Sequence, residues 1–310
     1  MARKKNHIGL IYFVTIILTL VLVGGTAWTL YNKVLIPEEE NSSSSVAASS
    51  DSGPLFYEAS EDHCQTVLFV LEGGPLEHET AFAVIRYKPT ENKLIYVPLS
   101  EKTLVQIGTE KSSLYEFYRK GGVNGAVDAA KQALNIPIDR YMKLDSESFI
   151  TLCDLFGDVF VEVSEELKYS NPESNESTVI HKGGQTLTGN KLRRLLTYPN
   201  FEGGEIYKTE LQGEVMTRMI NDAAIKGVLS SITQSGFNMM VNCTETNFTA
   251  QDYDYRKQSI EEMASLKQNI AVVQGTNAVS DENGFLVIDS ASKKSVADAF
   301  GVKTVVELAE

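Results

Sequence analysis

The stretch GGVNGAVDAAKQALNIPIDRYMKLDSESFITLCDLFGDVFVEV, residues 121–163, switches hydrophobic period several times. In its first part Val127, Ala130, Ala133 and Leu134 share one helical stripe that ends before Pro137. YMKL (141–144) has the length of a short strand. Ser146 and Glu147 then cap a second helix, whose Phe149, Leu152, Cys153 and Phe156 lie at helical spacing and which Gly157 stops. DVFVEV (158–163) alternates as a half-buried strand does.

The same alternation of elements continues outward. Upstream, QTVLFVLE (65–72) is an apolar run of strand length closed by Gly73-Gly74-Pro75, and AFAVIRY and KLIYVP, joined by residues 88–92, predict a hairpin. Downstream, Thr188 suits the N-cap of NKLRRLL. A long helix is expected over 206–226, because Leu211, Val215, Met219 and Ile220 line one side while Glu214 and Arg218 pair on another. A helix over about 256–268, late strands in NIAVVQG and GFLVIDS and a closing helix in SKKSVADAF complete the pattern. Strands interleaved with helices throughout predict one α/β domain with a mixed sheet between helical layers.

The domain has a long prelude. No charge occurs from Ile8 to Leu30, a run long enough as a helix to span a hydrocarbon layer of roughly 30 Å. It is longer than the apolar core of a signal peptide and ends among Trp28 and Tyr31, which suit a membrane interface. Arg3, Lys4 and Lys5 precede it, which places the short N-terminus in the cytoplasm. PEEENSSSSVAASSDSGP (37–54) is too polar to build a core and reads as a stalk. The expected organisation is a tail over 1–7, a single-pass transmembrane helix over 8–30, a stalk over 31–63 and a folded domain over 64–305.

All 41 acidic residues follow residue 37, whereas Arg3, Lys4, Lys5 and Lys33 of the 28 basic ones precede it. So acidic an exterior speaks against nucleic acid as a partner, since that binding rests on clustered Lys and Arg. Cys64, Cys153 and Cys243 lack metal-type spacing and allow one disulfide with a free thiol, or none; Cys153 reads as a small core residue. The four histidines, His7, His63, His78 and His181, are scattered, and phosphate-loop, dinucleotide, zinc-helix and serine-elbow motifs are absent. The loop GGPLEHET (73–80) follows a buried strand and gathers Glu77, His78 and Glu79. It suits either a hard cation such as Mg²⁺ or a plain polar turn.

Taken together, these segments resemble the LytR-CpsA-Psr family of membrane-anchored extracytoplasmic proteins. The resemblance rests on residues 121–163, on KGGQTLTGNKLRRLL (182–196), on the hairpin AFAVIRYKPTENKLIYVP and on the late GFLVIDSASKKSVADAF, and it covers roughly 64–300. It implies an α/β/α sandwich that holds a polyprenyl-phosphate lipid. The implied activity is transfer of glycopolymers from lipid pyrophosphate carriers to peptidoglycan, with arginines and metal-binding carboxylates gripping the pyrophosphate.

The implied site is altered here. The family's first strand runs into a Gly-Thr-Asp turn; this chain has LEGGP, which leaves Glu72 as the substitute metal ligand, and Glu79 stands where a second aspartate is expected. Leu99, Thr197 and Pro199 fall on family arginine positions, and Lys208 is the one cation kept in a later motif. Arg193 and Arg194 lie about one helical turn early and point some 100° apart, which reads as surface or helix-end charge; the second reading is the family's arginine pair shifted in sequence. Two expectations follow. One is a binding or scaffolding member that engages polyprenyl-linked envelope polymer, peptidoglycan or another envelope partner without cleaving pyrophosphate. The other is an active transferase whose site is rebuilt from Glu79, Lys102, Lys208 and Arg86, the last facing either ligand or outer surface.

Overall fold

The computed structural model describes residues 57–73, 79–171 and 176–304. The predicted tail, transmembrane helix and most of the stalk lie outside the described residues, as do Glu77 and His78. Among the described residues no helix is long and apolar enough to cross a membrane.

In chain order the elements are β1 (Gln65–Glu72), β2 (Thr80–Lys88), β3 (Lys93–Leu99), β4 (Leu104–Ile107), β5 (Glu110–Ser113), α1 (Leu114–Leu134), β6 (Arg140–Leu144), α2 (Ser146–Phe156) and β7 (Val159–Val163). There follow β8 (Leu167–Asn171), β9 (Glu176–Ile180), β10 (Gly183–Leu187), α3 (Gly189–Leu196), α4 (Gly204–Ile225) and α5 (Val228–Cys243). The chain continues through β11 (Glu245–Thr246), α6 (Ala250–Ser265), β12 (Ala271–Val273), β13 (Ala278–Ser280), β14 (Leu286–Ile288) and α7 (Ser290–Phe300).

Six strands form the central sheet in the order β11-β6-β1-β2-β3-β12. It is mixed: β1 runs antiparallel to β2 and parallel to β6, and β3 runs antiparallel to β2 and parallel to β12. Because β1 is apolar on both sides, its alternate residues feed two cores. Leu68 and Val70 join Phe82, Val84 and Val97 beneath α1 and α7. Phe69 and Leu71 join Ala81, Ala83 and Tyr96 beneath α2, α3 and α4. Helices therefore cover both faces, as the interleaved pattern predicts.

Element boundaries moved where capping chemistry was misread. Asp145, not Ser146 or Glu147, caps α2, accepting from the Ser148 N–H at 2.9 Å. The helix expected over 256–268 is α6, which starts earlier because Thr249 and Asp252 form a capping box. The helix containing Ala130 and Leu134 extends back to Leu114 across a break at Gly122, whose φ of 61° favours glycine. At the sheet edge, the Asn221 side chain on α4 bonds both main-chain groups of Ala271, accepting its N–H at 2.8 Å and donating to its carbonyl at 2.9 Å.

Candidate functional site

β1, β2 and α3 meet at the C-terminal end of β1. The Gly73 N–H donates to the Glu79 carbonyl at 2.6 Å and closes the base of the loop between β1 and β2. Thr197, just past α3, presses against the same turn: a Cβ on Gly73 would lie 2.2 Å from Thr197 Oγ1 and 2.6 Å from the Glu79 carbonyl oxygen. Only glycine fits that approach.

Onto this turn converge the two arginines expected at the surface. Arg193 and Arg194 are each 3% exposed. Arg193 Nη1 donates to the Gly73 carbonyl and to Ser146 Oγ, the latter at 3.2 Å, while its Nε reaches Asn190 Oδ1 at 3.1 Å. Arg194 Nη1 donates to the same Gly73 carbonyl at 3.3 Å and to Glu79 Oε2 at 3.2 Å, and its guanidinium lies 3.5 Å from the centre of the Tyr169 ring. The reading as surface charge is thus corrected. From Leu192 to Leu196 α3 is buried on every side, so a 100° offset separates the stems but leaves both long side chains inside. Glu79 is itself buried, and its Oε1 has no hydrogen-bond partner among the described residues.

A second ionic group closes the end of β3. Lys208 is buried with its Nζ 3.5 Å from Glu101 Oε1 and 3.7 Å from Glu205 Oε1. Ser100 Oγ donates to Glu205 Oε2 at 2.9 Å, and the half-exposed Lys102 reaches Glu205 Oε1 at 4.0 Å. Leu99 points into the core beneath α1. Thr197 returns its hydroxyl to the Arg193 carbonyl at 3.0 Å, and Pro199 is half-buried.

The other candidates sit apart from one another. At the end of β1, Glu72 accepts from the Tyr118 hydroxyl and lies 3.4 Å from Lys143 Nζ. Burial and the Glu72 carboxylate together push the Tyr118 hydroxyl well above its ordinary range. Arg86 pairs in register with Thr66 at the opposite end of β1, roughly 20 Å from Glu72 at strand rise, and donates there to Thr66 Oγ1 at 3.1 Å. The structure does not bring it to the site. Cys153 is buried, and burial pushes its thiol up to about 12; Cys64 is likewise a buried free thiol.

Whether these carboxylates fit Mg²⁺ is decided by their neighbours. A hard cation needs several oxygens around one point, yet among the described residues no three His, Cys, Asp or Glu side chains converge on one. Glu79 faces a guanidinium and Glu72 an ammonium. The described residues do not fit the metal. Two cavities of about 350 and 300 Å³ lie elsewhere, beside Arg140 and Asp252 and beside Lys293 and Lys294.

Sequence reasoning favoured the surface for Arg193 and Arg194, with the site as the second reading, and missed Tyr169, Ser146 and Lys143 as parts of this edge. No local pattern marks an arginine as buried when its partners come from β1, β2, α2 and β8.

The model of the LytR_cpsA_psr family matches residues 77–300. The polyisoprenyl-teichoic acid–peptidoglycan teichoic acid transferase TagU of Bacillus licheniformis is 24% identical over 173 residues, 55% of this chain and 54% of that protein. Its Bacillus subtilis counterpart is 23% identical over 170 residues, 54% of this chain and 53% of that one. The chain thus spans about half the length of the curated relatives it matches. Among solved structures, a protein described as a transcription regulator from Eubacterium siraeum superposes with a TM-score of 0.69 at 21% identity, over 84% of this chain and 99% of the other. TagT bound to LIIa-WTA gives 0.54 at 15% identity, over 76% and 89%. Such likenesses speak for the fold, a mixed sheet with helices on both sides. By its family match over most of the folded region, the chain belongs to the LytR-CpsA-Psr family.

Proposed function

We propose that this protein works at the outer face of the cell membrane as a binding member of its family, engaging polyprenyl-linked glycopolymer during cell-wall assembly without transferring it. One observation carries the reading. The basic groups that remain at the ends of β1 and β3 are committed to partners inside the protein: Arg194 to Glu79, Arg193 to Gly73, Ser146 and Asn190, and Lys208 to Glu101 and Glu205. Gripping a pyrophosphate takes guanidinium forks with donors to spare, and a lysine point charge does not replace one. Leu99, Thr197 and Pro199 supply none.

Related proteins support the choice of ligand, since TagU is named for polyisoprenyl-teichoic acid and peptidoglycan. The charge-free run from Ile8 to Leu30 supports a single-pass anchor with residues 1–7 in the cytoplasm, a stalk to about residue 63 and the folded domain outside. The acidic balance of the exterior speaks against a nucleic-acid partner. The test is to incubate the full chain with lipid-linked glycopolymer, peptidoglycan and Mg²⁺. Retention of the lipid-linked polymer without attachment to peptidoglycan is expected; attachment at ordinary enzymatic rates would overturn the reading.

Two features favour a rebuilt transferase instead. Glu79 keeps an oxygen without a hydrogen-bond partner among the described residues, and Lys102 stands half-exposed on the rim near Lys208. In that case Glu79→Ala combined with Lys208→Ala abolishes transfer. Transfer that survives both changes dismisses this alternative.

A further inference from the structure

The cavity beside Lys293 and Lys294 gathers charge that the fold itself does not use. It measures about 300 Å³ and lies against α7, where Ser290, Lys293, Lys294 and Asp298 line it, with Asn135 at the end of α1 and Thr304 beyond α7. α1 leads into β6, whose Arg140 pairs with Val67 near the start of β1, so the Asn135 wall lies at the other end of the sheet from Glu72 and Glu79. Among the described residues neither ammonium has a hydrogen-bond or ion-pair partner. Lys88, Lys143 and Lys208, also withdrawn from water, each reach a carboxylate within 3.5 Å. Lys293 is half-buried without one, and burial alone pushes its ammonium below its ordinary range.

The order of charge along α7 points the same way. Past its cap Asp289, the helix carries both lysines in its first half and Asp298 in its last turn, the reverse of what the helix dipole favours. Folding gains nothing from that order, whereas an anion in the cavity would meet both cations at once. We propose that this cavity is an anion site in which Lys293 and Lys294 hold a single phosphate group against the neutral polar wall of Ser290, Asn135 and Thr304. Two point charges suffice for one phosphate, which does not demand the guanidinium forks of a pyrophosphate grip. A small soluble phosphate and the headgroup of an anionic lipid offer the same oxygens.

The experiment follows acetylation of Lys293 and Lys294 by mass spectrometry in the full chain, with the exposed Lys111 as internal reference. In one arm the chain is in uncharged detergent, and inorganic phosphate or glycerol 3-phosphate is added at constant ionic strength. In the other it is embedded in phosphatidylglycerol nanodiscs with no phosphate added. At saturation Lys293 should react about tenfold more slowly and Lys294 about threefold, while Lys111 is unchanged. Protection by the added phosphates supports a soluble ligand, protection in nanodiscs alone supports a lipid headgroup, and protection in neither arm overturns the proposal. In Lys293→Met, Lys294 should lose its protection; protection that survives this change is not the work of a paired site and overturns the proposal as well. Asp298→Asn, which removes the one carboxylate lining the cavity, should bring half-protection at about one-third of the phosphate or lipid content. Should the methionine variant fail to fold, Lys293→Gln is read in its place against the same two outcomes.

Discussion

The two ends of β1 carry the same chemistry in opposite settings. At the C-terminal end, Arg194 and Glu79 are 3% and 1% exposed in their side chains and lie among α3, the loop base and Tyr169. At the N-terminal end, Arg140 grips Asp252 with two bonds of 3.0 and 2.8 Å, but its side chain is 32% exposed and borders an open cavity of about 350 Å³. Arg256 joins that group from the same helix as Asp252, 3.7 Å away, and donates to the His63 carbonyl. A guanidinium–carboxylate contact therefore means different things at the two ends. The buried pair is tied to folding, because losing one partner strands a charge without water. The half-open pair is tied to pH, because its carboxyl is held below its unfolded value.

That contrast can be broken by experiment. Arg194→Met should cost about 3–5 kcal/mol of unfolding free energy, while Arg140→Met should cost about 1 kcal/mol or less. Equal losses in denaturant titrations would erase the distinction. Next in size is Gly73→Ala: the new methyl overlaps Thr197 and the Glu79 carbonyl and should cost about 1–3 kcal/mol, read from the denaturation midpoint.

The pH effect is smaller. Burial opposes the charge on Asp252, but bonds from Arg140 and Thr249 outweigh it and hold the carboxyl at about 2, against an ordinary value of 3.8. A carboxyl lowered on folding gives stability that is complete above its unfolded value and is lost as pH falls through the folded one. The wild type should therefore lose on the order of 1–2 kcal/mol between about pH 4 and pH 2, after allowing for solvent at Arg140. Asp252→Asn should flatten that slope in stability measured against pH. Smallest is the exposed Glu214–Arg218 pair on α4, 3.0 Å long: Arg218→Ala should change stability by about 0.3–0.5 kcal/mol and lose even that in high salt.

How much of this was legible depended on where each signal came from. β1, β2 and β3 announced themselves because contiguous apolar residues feed two cores, and α2 and α4 because one face of each is plainly apolar. β8, β9 and β10 went unanticipated: their residues are largely polar, and they pair outside the central sheet in two-stranded ribbons, β8 with β9 and β10 with β7. α5 was also missed, since VLSSITQSGFNMMVNC mixes apolar residues with Ser, Thr and Asn around most of its turn. At the site, the resemblance led to Thr197, which does lie against Gly73, so the location was readable. The burial of Arg193 and Arg194 was not. An arginine enters a protein interior only when distant groups meet its donors, and neither composition nor spacing records that Ser146, Glu79 and Tyr169 converge there.

The clasp of Asn221 on Ala271 bears on how copies of this protein behave together. β12 is the outermost strand of the sheet on its side, and Val272 and Val273 are exposed there. An open edge bearing apolar side chains invites a strand from another molecule. A side-chain amide already holding the main chain of Ala271 denies such a newcomer the first rung of its ladder. The protein thereby keeps a hydrophobic rim in water with less exposure to edge-to-edge aggregation.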